Sequence, residues 1–333
     1  MRLPISPPAR NDRLHNGEGA DEGPFSNPVS GQILTGRRRL KPRRQAPARA
    51  RVQRAPTIPP VSIEHYENFP VASWLCPPHL RAAVAAIYWF ARTADDLADE
   101  GDMSAPQRLE LLWAYRADLH ACVLGQAFSG RWPAVFGALG PAVSRHALPL
   151  PLLDALLDAF EQDVRNPRYA NRAQLLAYCA RSANPVGRLL LHLYQVNDQA
   201  SLAQSDAICS ALQLINFWQD LSVDLPRGRL YVPMDDLQRH ALTAEQLFTL
   251  QDSANTRALV SSLSGWAAAL MTQGAPLARR IPGRAGWELR LVVQGGLRIL
   301  EKIAQMDHAS LQSRPALRRR DAPLLLWRAL WAD

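Results

Sequence analysis

Leu80-Arg81-Ala82-Ala83-Val84-Ala85-Ala86-Ile87-Tyr88-Trp89-Phe90-Ala91-Arg92-Thr93-Ala94-Asp95-Asp96-Leu97-Ala98-Asp99 contains neither proline nor glycine, and its apolar residues Leu80, Val84, Ile87 and Ala91 recur in steps of three and four. That spacing predicts an α-helix over 79–100 with one apolar face. The run ends on Asp95, Asp96 and Asp99, and separations of three and four residues put carboxylates on one side of a helix. Like charges so placed cost a helix roughly 0.2–0.5 kcal/mol per pair, so helix stability does not account for them. An acidic doublet alone fits a solvated face equally well. The flank Ile87-Tyr88-Trp89-Phe90-Ala91, however, predicts a buried helix, and buried carboxylates need cations or hydrogen-bond donors.

A second stripe has the same character. Asn216, Asp220 and Asp224 recur every four residues, with Ala211-Leu212-Gln213-Leu214-Ile215 before them and Phe217-Trp218 between them. Four residues advance a helix by about 40° beyond one turn, so the three oxygens form a row. Pro226 disfavours helix at Leu225, so this helix is predicted to end at 224. Two buried acidic rows without a nearby lysine imply a cation. Mg²⁺ takes a few hard oxygen ligands and completes its shell with water and substrate phosphate. Arg227 and Arg229 follow directly in Arg227-Gly228-Arg229-Leu230-Tyr231-Val232-Pro233. They are either phosphate ligands or complements to a helix C-terminus. Arg92 presents the same choice between phosphate ligand and salt-bridge partner. Tyr88, Phe90, Phe217 and Trp218 read as core residues that would also line an apolar cavity able to shelter a carbocation.

Around these rows the rest of the chain is helical in pattern from residue 62. Further helices are expected over 107–124, 150–165, 173–197, 201–224, 256–275 and 284–311. Ser104 is the cap and Pro106 the first turn of the helix over 107–124. Gly295-Gly296 inside a helical pattern suggests close helix packing, and Asp154/Asp158 and Asp235-Asp236 read as solvated faces. Strand and hairpin signals are nearly absent. The expectation is an all-α, single-domain bundle with a central cavity, flanked by a basic tail (1–60) and a C-terminal segment (321–333), with the catalytic part over 61–320.

Composition narrows the function. The chain has 38 Lys/Arg and 30 Asp/Glu; residues 1–60 contribute 12 and 4 of these, leaving 26 and 26 in the remainder. The net charge of +8 thus belongs to the tail, whose Arg37-Arg38-Arg39-Leu40-Lys41-Pro42-Arg43-Arg44 run reads as a solvated segment before an anionic-lipid anchor. A neutral remainder argues against nucleic acid as a partner. Cys76, Cys122, Cys179 and Cys209 have no metal or disulfide spacing and read as thiols of a reducing compartment. With no apolar stretch of the roughly 18–20 residues a membrane span needs and no signal-peptide core, the expectation is a cytoplasmic protein that touches the inner membrane surface transiently. No His-Glu-x-x-His, GxSxG, P-loop or strand-borne GxGxxG appears.

Taken together, residues 62–320 resemble the squalene/phytoene synthase family of head-to-head prenyl-diphosphate enzymes. Tyr88-x-Phe90-x-Arg92-x-x-Asp95-Asp96-x-x-Asp99 looks like its first aspartate-rich motif. Gln213-x-x-Asn216-x-x-x-Asp220-x-x-x-Asp224, then Arg227-Gly228-Arg229-x-Tyr231-x-Pro233, looks like the second. Tyr178-Cys179 through Pro185-Val186-Gly187 is similar to its helix-breaking segment. Within the family the chain resembles the HpnC-type enzymes of bacterial hopanoid biosynthesis, on two departures. His65-Tyr66-Glu67-Asn68-Phe69 stands where many members have His-Ser-x-Ser-Phe, and Gln219 stands where others have arginine.

The resemblance implies an isoprenoid-synthase fold and an isoprenoid diphosphate lyase or transferase. Asp95, Asp96, Asp99, Asn216, Asp220 and Asp224 would bind Mg²⁺, the five aspartates being catalytic. His65, Tyr66, Tyr88, Phe90, Arg92, Gln213, Phe217, Gln219, Arg229 and Tyr231 would contact substrate. It implies presqualene diphosphate as substrate, ionised and trapped by water to give hydroxysqualene, with no nicotinamide or flavin. The partners implied are a presqualene diphosphate synthase upstream and a flavin reductase downstream. The alternatives are condensation of two prenyl diphosphates to squalene, presqualene diphosphate or phytoene, and a non-catalytic assembly or scaffold relative, which would be expected to lose carboxylates that this chain retains.

Overall fold

The computed structural model describes residues 76–331; the basic tail over 1–60 and the expected substrate contacts His65 and Tyr66 lie outside the described residues. The alanine-rich run quoted first forms α1 (Arg81–Asp99) and buries Val84, Ile87, Ala91, Ala94 and Asp95 along one face. α2 (Ala105–Val123) starts as its sequence suggests: Pro106 occupies the first turn, and Gln107 Oε1 accepts the Ser104 backbone N–H at 2.9 Å. This reciprocal cap satisfies a donor that the first turn cannot pair internally. There follow α3 (Pro133–His146), α4 (Leu150–Arg165), α5 (Arg172–Ser182), α6 (Asn184–Leu193), α7 (Gln199–Gln219) and α8 (Leu221–Asp224). The chain continues through α9 (Met234–Arg239), α10 (Ala244–Phe248), α11 (Ala254–Gly274), α12 (Leu277–Arg280), α13 (Gly283–Gln305) and α14 (Ala322–Trp331). No strand occurs among the described residues, so the fold is all-α as expected.

Several boundaries differ from the sequence pattern for identifiable reasons. The helix expected over 173–197 is two helices, broken at Ala183 (φ −118°, ψ −46°) just before Pro185, whose missing N–H and fixed ring prevent continuation. The row expected over 201–224 bends at Asp220, which leaves the helical region at φ −99°, ψ 12°. Even so, Asp220 N–H donates to Asn216 O at 2.9 Å and Asp224 N–H to Asp220 O at 2.8 Å, so the four-residue row survives the bend. The helix expected over 284–311 stops at Gln305, where Asp307 and His308 turn to positive φ (51° and 60°).

Two apolar clusters fill the interior. One joins α1, α2, α3, α4 and α6 around Phe90, Tyr115, Phe136 and Leu156. The other joins α5, α7, α11 and α13 around Leu214, Trp218, Leu263 and Ile303. The second depends on close helix approach. A Cβ on Gly274 would lie 2.6 Å from Gln204 O and 2.8 Å from Ile208 N, backbone atoms of α7 that cannot swing aside. Gly274→Ala is therefore expected to lower stability by about 1–3 kcal/mol in urea denaturation, as overpacking does elsewhere. Of the Gly295-Gly296 pair only Gly296 meets the close-packing expectation: its Cβ would fall 2.8 Å from Met271 and 3.1 Å from Leu212, whereas that of Gly295 would meet only Leu317, at 3.7 Å. Gly295→Ala should be tolerated.

Asp236 departs from the solvated face expected for Asp235-Asp236. It is fully buried and accepts from Arg172 Nε and Nη2, each at 2.9 Å. The cause is tertiary: Met234 and Asp235 donate backbone N–H groups to Tyr169 O and Ala170 O, which pins α9 against the start of α5. Asp154 and Asp158 are partly exposed and share Arg116.

Candidate active site

The two acidic rows lie at the C-terminal ends of α1 and α7–α8 and are linked through the segment that follows α8. Asp95 (9% exposed), Asp220 (4%) and Asp224 (2%) point inward, whereas the Asp96 side chain stays 38% exposed. The rows are bridged by Arg229, just after α8, whose fork donates to both oxygens of Asp99 on α1. Such bidentate pairing fixes orientation as well as charge. Arg92 lies 3.3 Å from Asp95, 2.5 Å from Asp96 and 2.8 Å from Glu100. It is thus a salt-bridge partner here, and its position also suits an incoming phosphate.

Three residues of this site carried no local signal. Arg314, in the loop after α13, donates through Nε to Asp220 Oδ1. Its neighbour Pro315 accepts from Gln219 Nε2 at 2.7 Å. The loop therefore brings back a guanidinium beside the residue where Gln219 replaces one. Asp163, near the end of α4, accepts the Tyr178 hydroxyl at 2.8 Å and the Tyr231 hydroxyl at 3.5 Å. Its charge acts on both Asp95 and Arg229. Glu288 on α13 lines the apolar cavity described below. Arg314 and Asp163 lie far in sequence from the motif residues they reach, and only folding brings them close.

Burial dominates the electrostatics. It pushes the Asp95 carboxyl up to about 7 and that of Asp96 to about 6, against the pull of Arg92 on both. Burial also raises the Tyr88 hydroxyl, which lies in the field of Arg92, Asp96 and Asp95. Arg229 loses solvation but is held charged by its bond to Asp99. Arginines hold four of the site's carboxylates: Arg92 pairs with Asp95 and Asp96, Arg229 with Asp99, and Arg314 with Asp220. Among the described residues no group of three carboxylate, imidazole or thiol side chains could hold a metal ion unaided. That set suits a cation that takes one or two carboxylates and the rest of its shell from phosphate.

Toward the N-terminal half of α1 lies a partly open apolar cavity of about 120 Å³, walled by α1, α6, α7 and α13. Its wall includes Val84 on α1 and Ser205, Cys209 and Leu212 on α7. Val84 and Asp95 are eleven residues apart, which returns a helix to within about 20° of the same face some 16 Å further along. Cys209, Leu212 and Asn216 share a face of α7 by the same geometry. Leu212 also walls a smaller cleft with Asn216 and Gln219. Both helices thus carry an apolar stretch that ends in oxygen ligands. Gln213 belongs to the same end: its Nε2 is buried without a hydrogen-bond partner among the described residues, as expected of a donor awaiting a ligand oxygen.

The aromatic side chains divide. Tyr231 stacks on Phe217 with ring centroids 3.8 Å apart, and both reach Tyr178, forming a rigid wall behind Asp163. Phe90 instead stacks on Tyr115 at 5.3 Å and packs on Phe136. The structure places it in the core between α1, α2 and α3, not on the cavity wall.

An all-helical bundle whose helices α1 and α7 wall an apolar cavity and carry carboxylates and arginines toward their C-terminal ends suits a molecule with an apolar body and a charged head. Residues 63–321 match the squalene/phytoene synthase family, and the chain belongs to it. It is 34% identical over 255 residues to a hydroxysqualene synthase of Sinorhizobium fredii, covering 76% of this chain and 82% of the relative. A hydroxysqualene synthase of Rhodopseudomonas palustris is 33% identical over 246 residues, covering 73% and 82%. Among solved structures, the squalene synthase HpnC of Alicyclobacillus acidocaldarius superposes with a TM-score of 0.67 at 34% identity, covering 73% of this chain and 90% of that one. The protein is an isoprenoid enzyme of the squalene-synthase type.

Proposed function

We propose that the enzyme ionises presqualene diphosphate and delivers water to the resulting cation, releasing hydroxysqualene. The observation that carries this reading is the shared polarity of α1 and α7. Each lines the cavity with an apolar stretch and presents carboxylates at the same end. The hydrocarbon would lie along Val84, Cys209 and Leu212, with its diphosphate among Asp95, Asp99, Asn216, Asp220 and Asp224. Mg²⁺ held there would supply Lewis-acid stabilisation of the departing oxygens. The hard-oxygen donor set and the orphaned Gln213 amide fit a metal–diphosphate head group.

The protein's own part is to bind, neutralise and exclude. Arg92, Arg229 and Arg314 are within reach of the phosphate oxygens once their carboxylates turn to the cation. When the carbon–oxygen bond breaks, its electron pair leaves with the diphosphate, and the dry cavity keeps the prenyl cation from premature capture. Water then adds its oxygen to the rearranged cation and loses a proton, a step that needs no reductant. This fits a separate flavin reductase as the class of enzyme that would complete squalene. Relatives named hydroxysqualene synthase support this product over a condensation product.

Purified protein with Mg²⁺ is expected to consume presqualene diphosphate and to leave farnesyl diphosphate alone unconverted. Efficient dimerisation of farnesyl diphosphate, with presqualene diphosphate untouched, would assign the enzyme to condensation instead.

A further inference from the structure

The last helix has a face that nothing in the described structure covers. Along α14, Ala322, Pro323, Leu326, Trp327, Leu330 and Trp331 are all exposed, the four large side chains at 51%, 59%, 58% and 72%. Their spacing (i, i+1, i+4, i+5, i+8, i+9) makes one continuous apolar stripe down the helix. The opposite side is anchored: Ala329 is buried, and Arg328, the one charged residue of α14, pairs with Glu301 on α13. Just before the helix come three exposed arginines, Arg318, Arg319 and Arg320. The next residue, Asp321, is turned inward to Arg298 and Lys302, so it does not offset them at the surface.

An apolar stripe rich in tryptophan beside a basic cluster is the composition of a helix lying in a lipid interface, its rings at headgroup depth and its cations on anionic phosphates. Among the described residues no helix is long and apolar enough to cross a membrane, and α14 has only ten residues. Charge selects between the available occupants. Residues 1–60 carry a net charge of +8 and would be repelled by Arg318–Arg320, as would the same cluster on a second copy. An anionic surface attracts it. We propose that the outer face of α14, with Arg318–Arg320, docks the enzyme on anionic phospholipid. This docking face comprises α14 and Arg318–Arg320 and does not depend on the active site. The reading of the active site adds a reason for it, since the substrate and product proposed there partition into lipid.

The test is sedimentation of the full chain with vesicles of phosphatidylcholine alone or mixed with phosphatidylglycerol, alongside Trp327→Glu/Trp331→Glu and Arg318→Gln/Arg319→Gln/Arg320→Gln proteins. Melting temperature and helical circular dichroism serve as fold controls. Wild type is expected to bind the mixed vesicles, the tryptophan variant to lose about tenfold or more in affinity, and the arginine variant to lose the preference for anionic lipid and its salt dependence. Turnover of a detergent-dispersed substrate should not change, so failure of the active-site reading would leave the binding result intact. Equal binding by wild type and the tryptophan variant would overturn the proposal by placing the contact elsewhere, for example in the basic tail. Absence of vesicle binding would overturn it too, as would a concentration-dependent dimer that the tryptophan variant abolishes without any lipid binding.

Discussion

Asp95→Asn protein is expected to lose turnover of prenyl diphosphate by roughly 10³-fold while melting at a higher temperature than wild type in the absence of ligand. Both halves follow from burial. Asp95 titrates near 7 and Asp96 near 6 in the folded protein, against 3.8 for a free carboxyl. Between pH 4 and 7 the folded state therefore holds protons that the unfolded state has released, and stability falls as pH rises through that window. Above it the folded protein carries the whole cost of a buried charge. Asparagine resembles the protonated carboxyl and removes that cost, so the variant should gain roughly 2–4 °C at pH 8, about a third of that at pH 5 and nearly nothing below pH 4. Added Mg²⁺ with inorganic pyrophosphate should raise the melting temperature of wild type and leave that of the variant unmoved. A variant less stable than wild type at pH 8, or equally active, would contradict the burial account.

The second large effect concerns Arg314. Arg314→Gln is expected to weaken binding of inorganic pyrophosphate in the presence of Mg²⁺ about tenfold and to lower kcat/KM about 10²-fold. It should also cost about 1–3 kcal/mol of stability, because Asp220, whose side chain is only 6% exposed, loses its partner. Pairing it with Asp220→Asn should restore much of the stability without restoring activity. Calorimetric titration with pyrophosphate and urea denaturation of the two single variants and the double variant separate these contributions. Unchanged pyrophosphate affinity in Arg314→Gln would leave Arg314 as a support for Asp220 and nothing more.

Most of the helices were legible because their apolar residues follow one period without interruption, as α1, α4 and α11 show. α3 was not. It contains Gly137, Gly140 and an internal proline, Pro141, each unfavourable to a helix by itself. Phe136, Leu139 and Val143 hold it by burial against the α1 core, a contribution that local propensity does not include. The hydrophobic period runs through the break at Ala183, because apolar residues continue on both sides of it; the likeness of Tyr178-Cys179 through Pro185-Val186-Gly187 to a helix-breaking segment is what marks it.

The active site divides along the same line. Asp95, Asp99, Asn216, Asp220 and Asp224 announce themselves by spacing within one helix or across one bend, so each row could be read directly. Arg314 and Asp163 reach the same place from a loop and from another helix. Loop closure over such distances leaves no periodic trace. Phe90 shows the converse error: its neighbours Tyr88 and Arg92 face the site, but a step of two residues on a helix turns it about 160° away, toward Tyr115.

The proposed reaction turns on one step, the capture of a prenyl cation by water after diphosphate leaves. The direct measurement is incubation of the enzyme with presqualene diphosphate and Mg²⁺ in ¹⁸O-labelled water, with mass analysis of the triterpene released. A triterpene alcohol carrying the heavy oxygen is the predicted result. A hydrocarbon without oxygen, or an alcohol without the label, would contradict it.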